Sequence, residues 1–254
     1  MSSESTTEKV TFDDIANPET RDEWLRKLNE KCENSTPQQI IGYFLSDFGG
    51  RIAVSSSLSI EDQTITDMAV KTDPKARIFT LDTGRLFPET YQLIDRTNMT
   101  YNISIEVFFP DYKEVQRMVR EEGINLFYNS IESRHRCCAV RKLEPLKRAM
   151  QTLDVWICGL RRSQSITRKD MNFVEWDDIH DKIKVNPLIE WSEDDVWEYI
   201  HKNHVPYNKL HDKGYPSIGC EPCTRAVKPG EDVRAGRWWW ESPEHRECGL
   251  HQRQ

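Results

Sequence analysis

Short apolar runs alternate with longer amphipathic segments along most of the chain. Trp24, Leu28 and Cys32 share one face of a helix expected over Thr20–Cys32, and Pro37 opens a second helix that runs to Phe48 and closes at Gly49-Gly50. Strands are then expected at Arg51–Val54, Arg77–Leu81, Ile103–Phe108 and Asp154–Cys158. Helices fall between or after them at Glu61–Lys71, Pro88–Thr97, Tyr112–Glu122 and Arg136–Met150. A further strand ends near Asn186-Pro187-Leu188, and Ser192 caps a helix to His201 with Trp197 facing inward. Strands of four to six residues separated by helices of ten or more read as crossover units, which predicts an α/β fold with a mostly parallel sheet flanked by helices. Beyond Pro216 the chain is rich in Gly, Pro, Cys and Trp, the composition of an irregular segment attached to that body. The expected organisation is a flexible lead-in over residues 1–18, an α/β domain over 19–233, and a mobile C-terminal tail over 234–254.

Composition narrows the class. Hydrophobic residues make up 37% and charged residues 30% of 254 positions, enough to build a core and stay in solution. The longest apolar stretches are a few residues, such as Ile52-Ala53-Val54, so no membrane span is expected. The polar, acidic start lacks an apolar signal core, and a cytoplasmic location is expected. A net charge of −7 argues against nucleic-acid binding. Between Arg134 and Asp170, however, ten Lys or Arg face three acids. That block reads either as a solvated basic helix or as a pocket for a small, multiply charged anion.

Three strand ends carry loops suited to such an anion. Ser55, Ser56, Ser57 and Ser59 follow the first strand and lead into a helix, presenting hydroxyls, backbone N–H groups and a helix N-terminus. Leu81-Asp82-Thr83-Gly84 ends the second strand, and Gly159-Leu160-Arg161-Arg162 follows the fourth. In an open parallel sheet these ends share one edge, where ligands bind.

Seven cysteines in a chain without export signals favour metal or redox chemistry over structural disulfides. Cys32 and Cys158 sit among apolar neighbours and read as core residues. Cys137-Cys138 and the distant Cys220-Glu221-Pro222-Cys223 form a four-thiol set. A C-x-x-C segment suits one metal centre, but adjacent cysteines strain a single tetrahedral zinc, whereas a [4Fe–4S] cluster offers each sulfur its own iron. Zinc, or a disulfide within Cys220 and Cys223, stays open as an alternative. Cys248 stands apart, with His245 and His251 three residues to either side. A thiol on a mobile terminal arm has little core to join and can act as a nucleophile, given cations such as Arg234 or Arg237 to favour its thiolate. Three consecutive tryptophans, Trp238-Trp239-Trp240, cannot all face one core.

Taken together, Cys137-Cys138 with Cys220-x-x-Cys223, the run Arg234-x-Gly236-Arg237-Trp238-Trp239-Trp240-Glu241, and Glu247-Cys248-Gly249-Leu250-His251 resemble the assimilatory sulfonucleotide reductases, most closely the iron–sulfur adenylyl-sulfate reductases. The likeness runs from about Gln39 to His251. It implies an adenine-nucleotide-binding fold similar to that of the ATP pyrophosphatases, and a [4Fe–4S] cluster on Cys137, Cys138, Cys220 and Cys223 that does not donate electrons. It also implies that Cys248 attacks the sulfur of adenylyl sulfate, releasing AMP and leaving an S-sulfocysteine that thioredoxin or glutaredoxin reduces to free sulfite. By the same likeness Lys142 lies between cluster and substrate, and Arg234, Arg237 and His251 grip the phosphate–sulfate group. The three strand-end loops would hold the nucleotide. Many members carry Phe-Gly where this chain has Leu58-Ser59. The chain ends three residues past His251, so a separate reductant protein is expected.

Other readings remain at this point. The same reaction on the 3′-phosphorylated substrate is the nearest; an adenylyl transferase of the same fold, or a non-enzymatic iron–sulfur or zinc module, are of different classes. The oligomeric state is not legible, and a homo-oligomer is compatible with everything above.

Overall fold

The computed structural model describes residues 10–164 and 168–242. Three helices precede the sheet: α1 (Phe12–Ala16), α2 (Pro18–Glu33) and α3 (Pro37–Phe48). Each has a side-chain N-cap from Thr11, Asn17 or Thr36, and α2 and α3 begin with proline, whose missing N–H costs nothing at that position. The lead-in expected through residue 18 is corrected from Val10 onward: Val10 and Ile15 are buried in the main core, and a capping box of Thr11 and Asp14 holds α1.

The alternating pattern then builds β1 (Ile52–Ser55), α4 (Ile60–Thr72), β2 (Arg77–Leu81), α5 (Pro88–Tyr101), β3 (Glu106–Phe108) and α6 (Tyr112–Glu122). After these come α7 (Ile131–Cys138), α8 (Glu144–Met150), β4 (Val155–Cys158), β5 (Val174–Asp177), β6 (Lys182–Val185) and α9 (Glu193–Asn203). The strands join in the order β3-β2-β1-β4-β6-β5, parallel throughout except for β5, which runs antiparallel to β6 at the edge. Strand β4 is buried along its whole length, as a parallel strand covered on both faces should be.

Two departures from the expected elements bear on the site. The continuous helix expected over Arg136–Met150 is broken into α7, a π-helical turn at Ala139–Leu143, and α8. Pro145, near the start of α8, cannot donate to the carbonyl one turn back, and the wider turn absorbs that gap. On α9, Val196 and Ile200 are fully buried, and Trp197, expected inward, packs half-buried against the same small core and against His201 and Tyr207.

The strand order reverses around β1 and β4: β2 and β3 lie on one side, β6 and β5 on the other. In such sheets a crevice opens outside the carboxyl ends of the strands at that switch point. The loops after β2, β1 and β4 therefore neighbour one another.

Candidate active site

The loop after β1 is shaped by its own side chains. The Ser56 amide donates to the Phe79 carbonyl of β2 at 2.8 Å, and the Ser56 hydroxyl accepts from the Leu58 amide at 3.1 Å. Leu58 is buried with φ +63°, a left-handed conformation uncommon for a residue with a Cβ. Ser59 caps α4, its hydroxyl accepting from the Asp62 amide at 3.3 Å. Asp62 in turn accepts from the Ser57 amide and hydroxyl, both at 2.6 Å, and from the Gly159 amide at 3.1 Å. One buried carboxylate thus ties the β1 loop to the β4 loop. A Cβ at Gly159 would lie 2.4 Å from Asp62 Oδ1, so only glycine permits this approach.

The loop after β2 reaches further along the edge. Asp82 is buried, and its Oδ1 accepts from the Gly84 amide at 2.7 Å and the Tyr91 hydroxyl at 2.9 Å. Gly84 has φ +69°, where glycine carries no penalty. Thr83, almost fully buried, has its hydroxyl 3.2 Å from Cys220 Sγ, and its carbonyl accepts from Arg141 at 2.7 Å.

Thr83 leads directly into a cavity lined by all four thiols of the cysteine set, Cys137, Cys138, Cys220 and Cys223. Arg85, Arg141, Lys142 and Arg237 line it too, with Phe127, Pro222 and Trp238. Cys137 and Cys138 close the last turn of α7, and the π-helical turn after them carries Arg141 and Lys142 to the same wall. Cys220 and Cys223 flank a short turn in which the Cys223 amide donates to the Cys220 carbonyl at 3.0 Å. Burial pushes the Cys137 thiol up, opposed by the Arg141 charge, and burial followed by the neighbouring Cys220 and Cys138 pushes Cys223 up as well. No disulfide joins the six described cysteines. Four sulfurs around one space, two of them buried and two half-buried, ringed by cations that would offset thiolate charge, fit a thiolate-held iron–sulfur group. Among the described residues no three His, Cys, Asp or Glu side chains are grouped to hold a single metal ion.

The remaining predicted residues separate into those that join this region and those that face elsewhere. Arg237 is buried on the cavity wall, its guanidinium occupying the space that a Cβ on Gly219 would fill. Arg234 is half-buried in the preceding turn, its amide donating to Asp232, and is not among the cavity-lining residues. Arg161 is buried and bonded to Glu61 at 2.9 Å, so its charge is already met within the protein. Arg162 points to the Met171 carbonyl and to Glu190 at 2.6 Å. Ser55 ends β1 and Leu81 ends β2, so both loops begin at the expected edge. Cys248 and His251 lie outside the described residues.

Much of the basic block between Arg134 and Asp170 is internally compensated. Arg134 pairs with Glu241, Arg136 with Glu121 and Glu122, Arg148 with Glu144, Arg161 with Glu61 and Arg162 with Glu190. Of the two readings of this block, neither holds for all of it: many of its charges are paired within the protein, while Arg134, Arg141 and Lys142 line the thiol cavity. Sequence reading singled out neither Arg85 nor Arg141 as site residues; Arg141 follows Cys138 by three residues, a spacing that shares a helical face.

Residues 51–226 match the model of the phosphoadenosine phosphosulfate reductase domain. An adenosine 5′-phosphosulfate reductase from Allochromatium vinosum is 50% identical over 203 residues, covering 80% of this chain and 79% of that protein. One from Sinorhizobium fredii is 46% identical over 226 residues, covering 89% and 90%. Among solved structures, phosphoadenylyl-sulfate reductase from Candida auris, in a phosphate complex, superposes with a TM-score of 0.70 at 26% identity, over 83% of this chain and 98% of that one. An FMN adenylyltransferase from Candida glabrata shares the fold at a TM-score of 0.53 and 15% identity, over 88% and 75%. With the family model spanning the sheet and the Cys220–Cys223 segment, and relatives at about half identity, this chain belongs to the phosphoadenosine phosphosulfate reductase domain family.

Proposed function

We propose that this chain is a cytoplasmic adenylyl-sulfate reductase that converts adenylyl sulfate to sulfite and AMP during sulfate assimilation. The observation that carries this reading is Thr83, which belongs both to the strand-end edge suited to a nucleotide and to the wall of the four-thiol cavity. Relatives at about half identity named adenosine 5′-phosphosulfate reductases support the substrate.

In this reading the loops at Ser55–Ser59, Leu81–Gly84 and Gly159–Arg162 hold the nucleotide, with Ser59 offering its hydroxyl and the start of α4 its dipole to the phosphate, and Ser57 shaping the loop through Asp62. Asp82 and the Leu81 main chain face the nucleoside. Lys142, Arg234, Arg237 and His251 would place positive charge around the sulfate end. Cys137, Cys138, Cys220 and Cys223 would hold the [4Fe–4S] cluster, which when bound supplies a fixed, dehydrated charge beside the substrate. The Cys248 thiolate attacks the sulfuryl sulfur, the bond from that sulfur to the phosphate oxygen breaks, and AMP leaves with the electron pair. An anionic nucleophile meeting an anionic centre needs preset cations, which the cavity wall provides. A dithiol protein such as thioredoxin or glutaredoxin then attacks the S-sulfocysteine; two electrons pass to it, sulfite departs, and the reductant becomes a disulfide.

The test is mass spectrometry after mixing the iron-loaded protein with adenylyl sulfate and no reductant. A sulfonate adduct on Cys248 alone is expected, absent in Cys248→Ser, and an adduct elsewhere or none would remove the mechanism. A second reading, the 3′-phosphorylated substrate, is favoured by the family model and by the Candida auris relative. The ratio of kcat/KM for the two substrates decides between them, with adenylyl sulfate expected to be preferred.

A further inference from the structure

Arg134 and Glu241, far apart in sequence, form a bidentate ion pair with Nε–Oε1 at 2.9 Å and Nη2–Oε2 at 2.7 Å. Their side chains are only 1% and 4% exposed. Dehydrating two charges offsets most of their attraction, so a pair this deep contributes chiefly by fixing which segments meet. Here it joins α7, one turn before Cys137-Cys138, to the chain just before the described residues end at Ser242.

The segment it holds is under strain. Trp238 has φ +41°, rare for any residue with a Cβ, and its ring contacts two guanidiniums, 4.8 Å from Arg134 Cζ and 4.6 Å from Arg237 Cζ. Its amide donates to the Cys223 carbonyl at 3.1 Å, and the Glu241 amide donates to the Trp238 carbonyl at 2.8 Å. Gly236 is pressed against Arg225, where a Cβ would fall 2.2 Å from the carbonyl oxygen. Such strain persists only where the surroundings overdetermine it, and it concentrates where geometry matters to function. These contacts bind residues 236–241 to both halves of the four-thiol set.

We propose that Arg134 and Glu241 are positioning residues for the reaction: their buried pair anchors the chain at residue 241 to the helix bearing Cys137 and Cys138, and so fixes the point from which the segment leading to Cys248 departs. The inference rests on the reading of Cys248 as the nucleophile. Cys248 follows Glu241 by seven residues, which span at most on the order of 20 Å, so the anchor bounds the distance at which that thiol can act. Releasing the anchor dilutes the thiol near the sulfate without touching the loops at the ends of β1, β2 and β4 that hold the nucleotide.

The experiment compares the iron-loaded parent with Glu241→Gln and with the double variant Arg134→Met/Glu241→Met. The measurements are kcat, KM, the single-turnover rate of S-sulfonate formation, iron content, and amide hydrogen exchange at Trp238 and Glu241. The expected result is a kcat and single-turnover rate lower by roughly tenfold or more with KM within about twofold, iron retained, and exchange at Trp238 and Glu241 accelerated. Unchanged kcat, a loss confined to KM, or a loss that merely tracks missing iron overturns the proposal. If Glu241→Gln does not fold because Arg134 is left buried without its partner, the apolar double variant carries the same outcomes. A parent that forms no S-sulfonate defeats the functional reading alone, whereas unaltered exchange in the variants defeats the anchor whatever the activity.

Discussion

Asp62 accepts three hydrogen bonds from the loops after β1 and β4, yet burial dominates those bonds and pushes its carboxyl up to about 6, with the neighbouring Glu61 charge adding to the rise. Folding therefore favours the protonated form. The stability this group contributes is fully present below the unfolded value of 3.8 and is lost as the pH rises through about 6. Asp62→Asn keeps an acceptor oxygen and cannot ionise, so its stability should lack this dependence. From urea midpoints, the parent is expected to lose ground against Asp62→Asn between those limits, by on the order of 3 kcal/mol at most for a shift of about two units. A constant difference across the window would show that the Ser57 and Gly159 donors fully offset the cost of burial.

At the scale of elements, α1 carries a prediction that separates docked from loosely held. Ile15 is fully buried, so Ile15→Ala should lower the unfolding free energy by about 2–4 kcal/mol, read from the denaturant midpoint; a lead-in held loosely would lose almost nothing. The periodicity that marked β1, β2, β4, α3 and α6 was legible because each shows its pattern within a few residues of itself. The elements that were missed depend on partners distant in sequence. β5, whose Glu175 and Asp177 are half-buried acids paired with Lys184 and His180, becomes a strand only by pairing with β6. Helix α4, by contrast, was expected over Glu61–Lys71 and is found at Ile60–Thr72, although it has no narrow apolar stripe: residues from Ile60 to Val70 are all buried. Several of its polar groups are paired across the fold, with Arg161 on Glu61, Thr97 and the Pro206 carbonyl for Gln63 Nε2, and Tyr101 and Tyr199 on Asp67, while Gln63 Oε1 and the Thr64 and Thr66 hydroxyls are buried without a partner among the described residues. The π-helical turn had one local sign, Pro145, that a straight helical reading passed over. Of the candidate site, the positions of the three loops and the four thiols were legible from spacing, whereas the ion pairs of Arg161 with Glu61 and of Arg162 with Glu190 were not, because such partners are invisible until the chain folds.

Across the whole molecule two constructions meet at Thr83. The edge proposed for the nucleotide rests on the sheet, where β1 is held between β2 and β4 by parallel hydrogen bonding and the Asp62–Gly159 contact ties the loops together. The thiol cavity instead is assembled from the end of α7, the π-helical turn, the Cys220–Cys223 turn and Arg237, with a small core of Met118, Leu126, Phe127 and Trp238 beneath it. The two share few supports, so disturbing one should leave the other standing. Cys220→Ser replaces a sulfur with a weaker ligand for iron and is expected to lower the iron bound and to abolish sulfite formation. AMP should still bind, with a dissociation constant by calorimetry within roughly threefold of the parent's, equivalent to less than about 0.7 kcal/mol. Parallel loss of AMP binding would mean that the thiol cavity, through Thr83 and the Arg141 bond to its carbonyl, organises the nucleotide edge as well. Retained binding would instead assign the four thiols to the sulfate end proposed for the substrate, away from the loops proposed for the nucleotide.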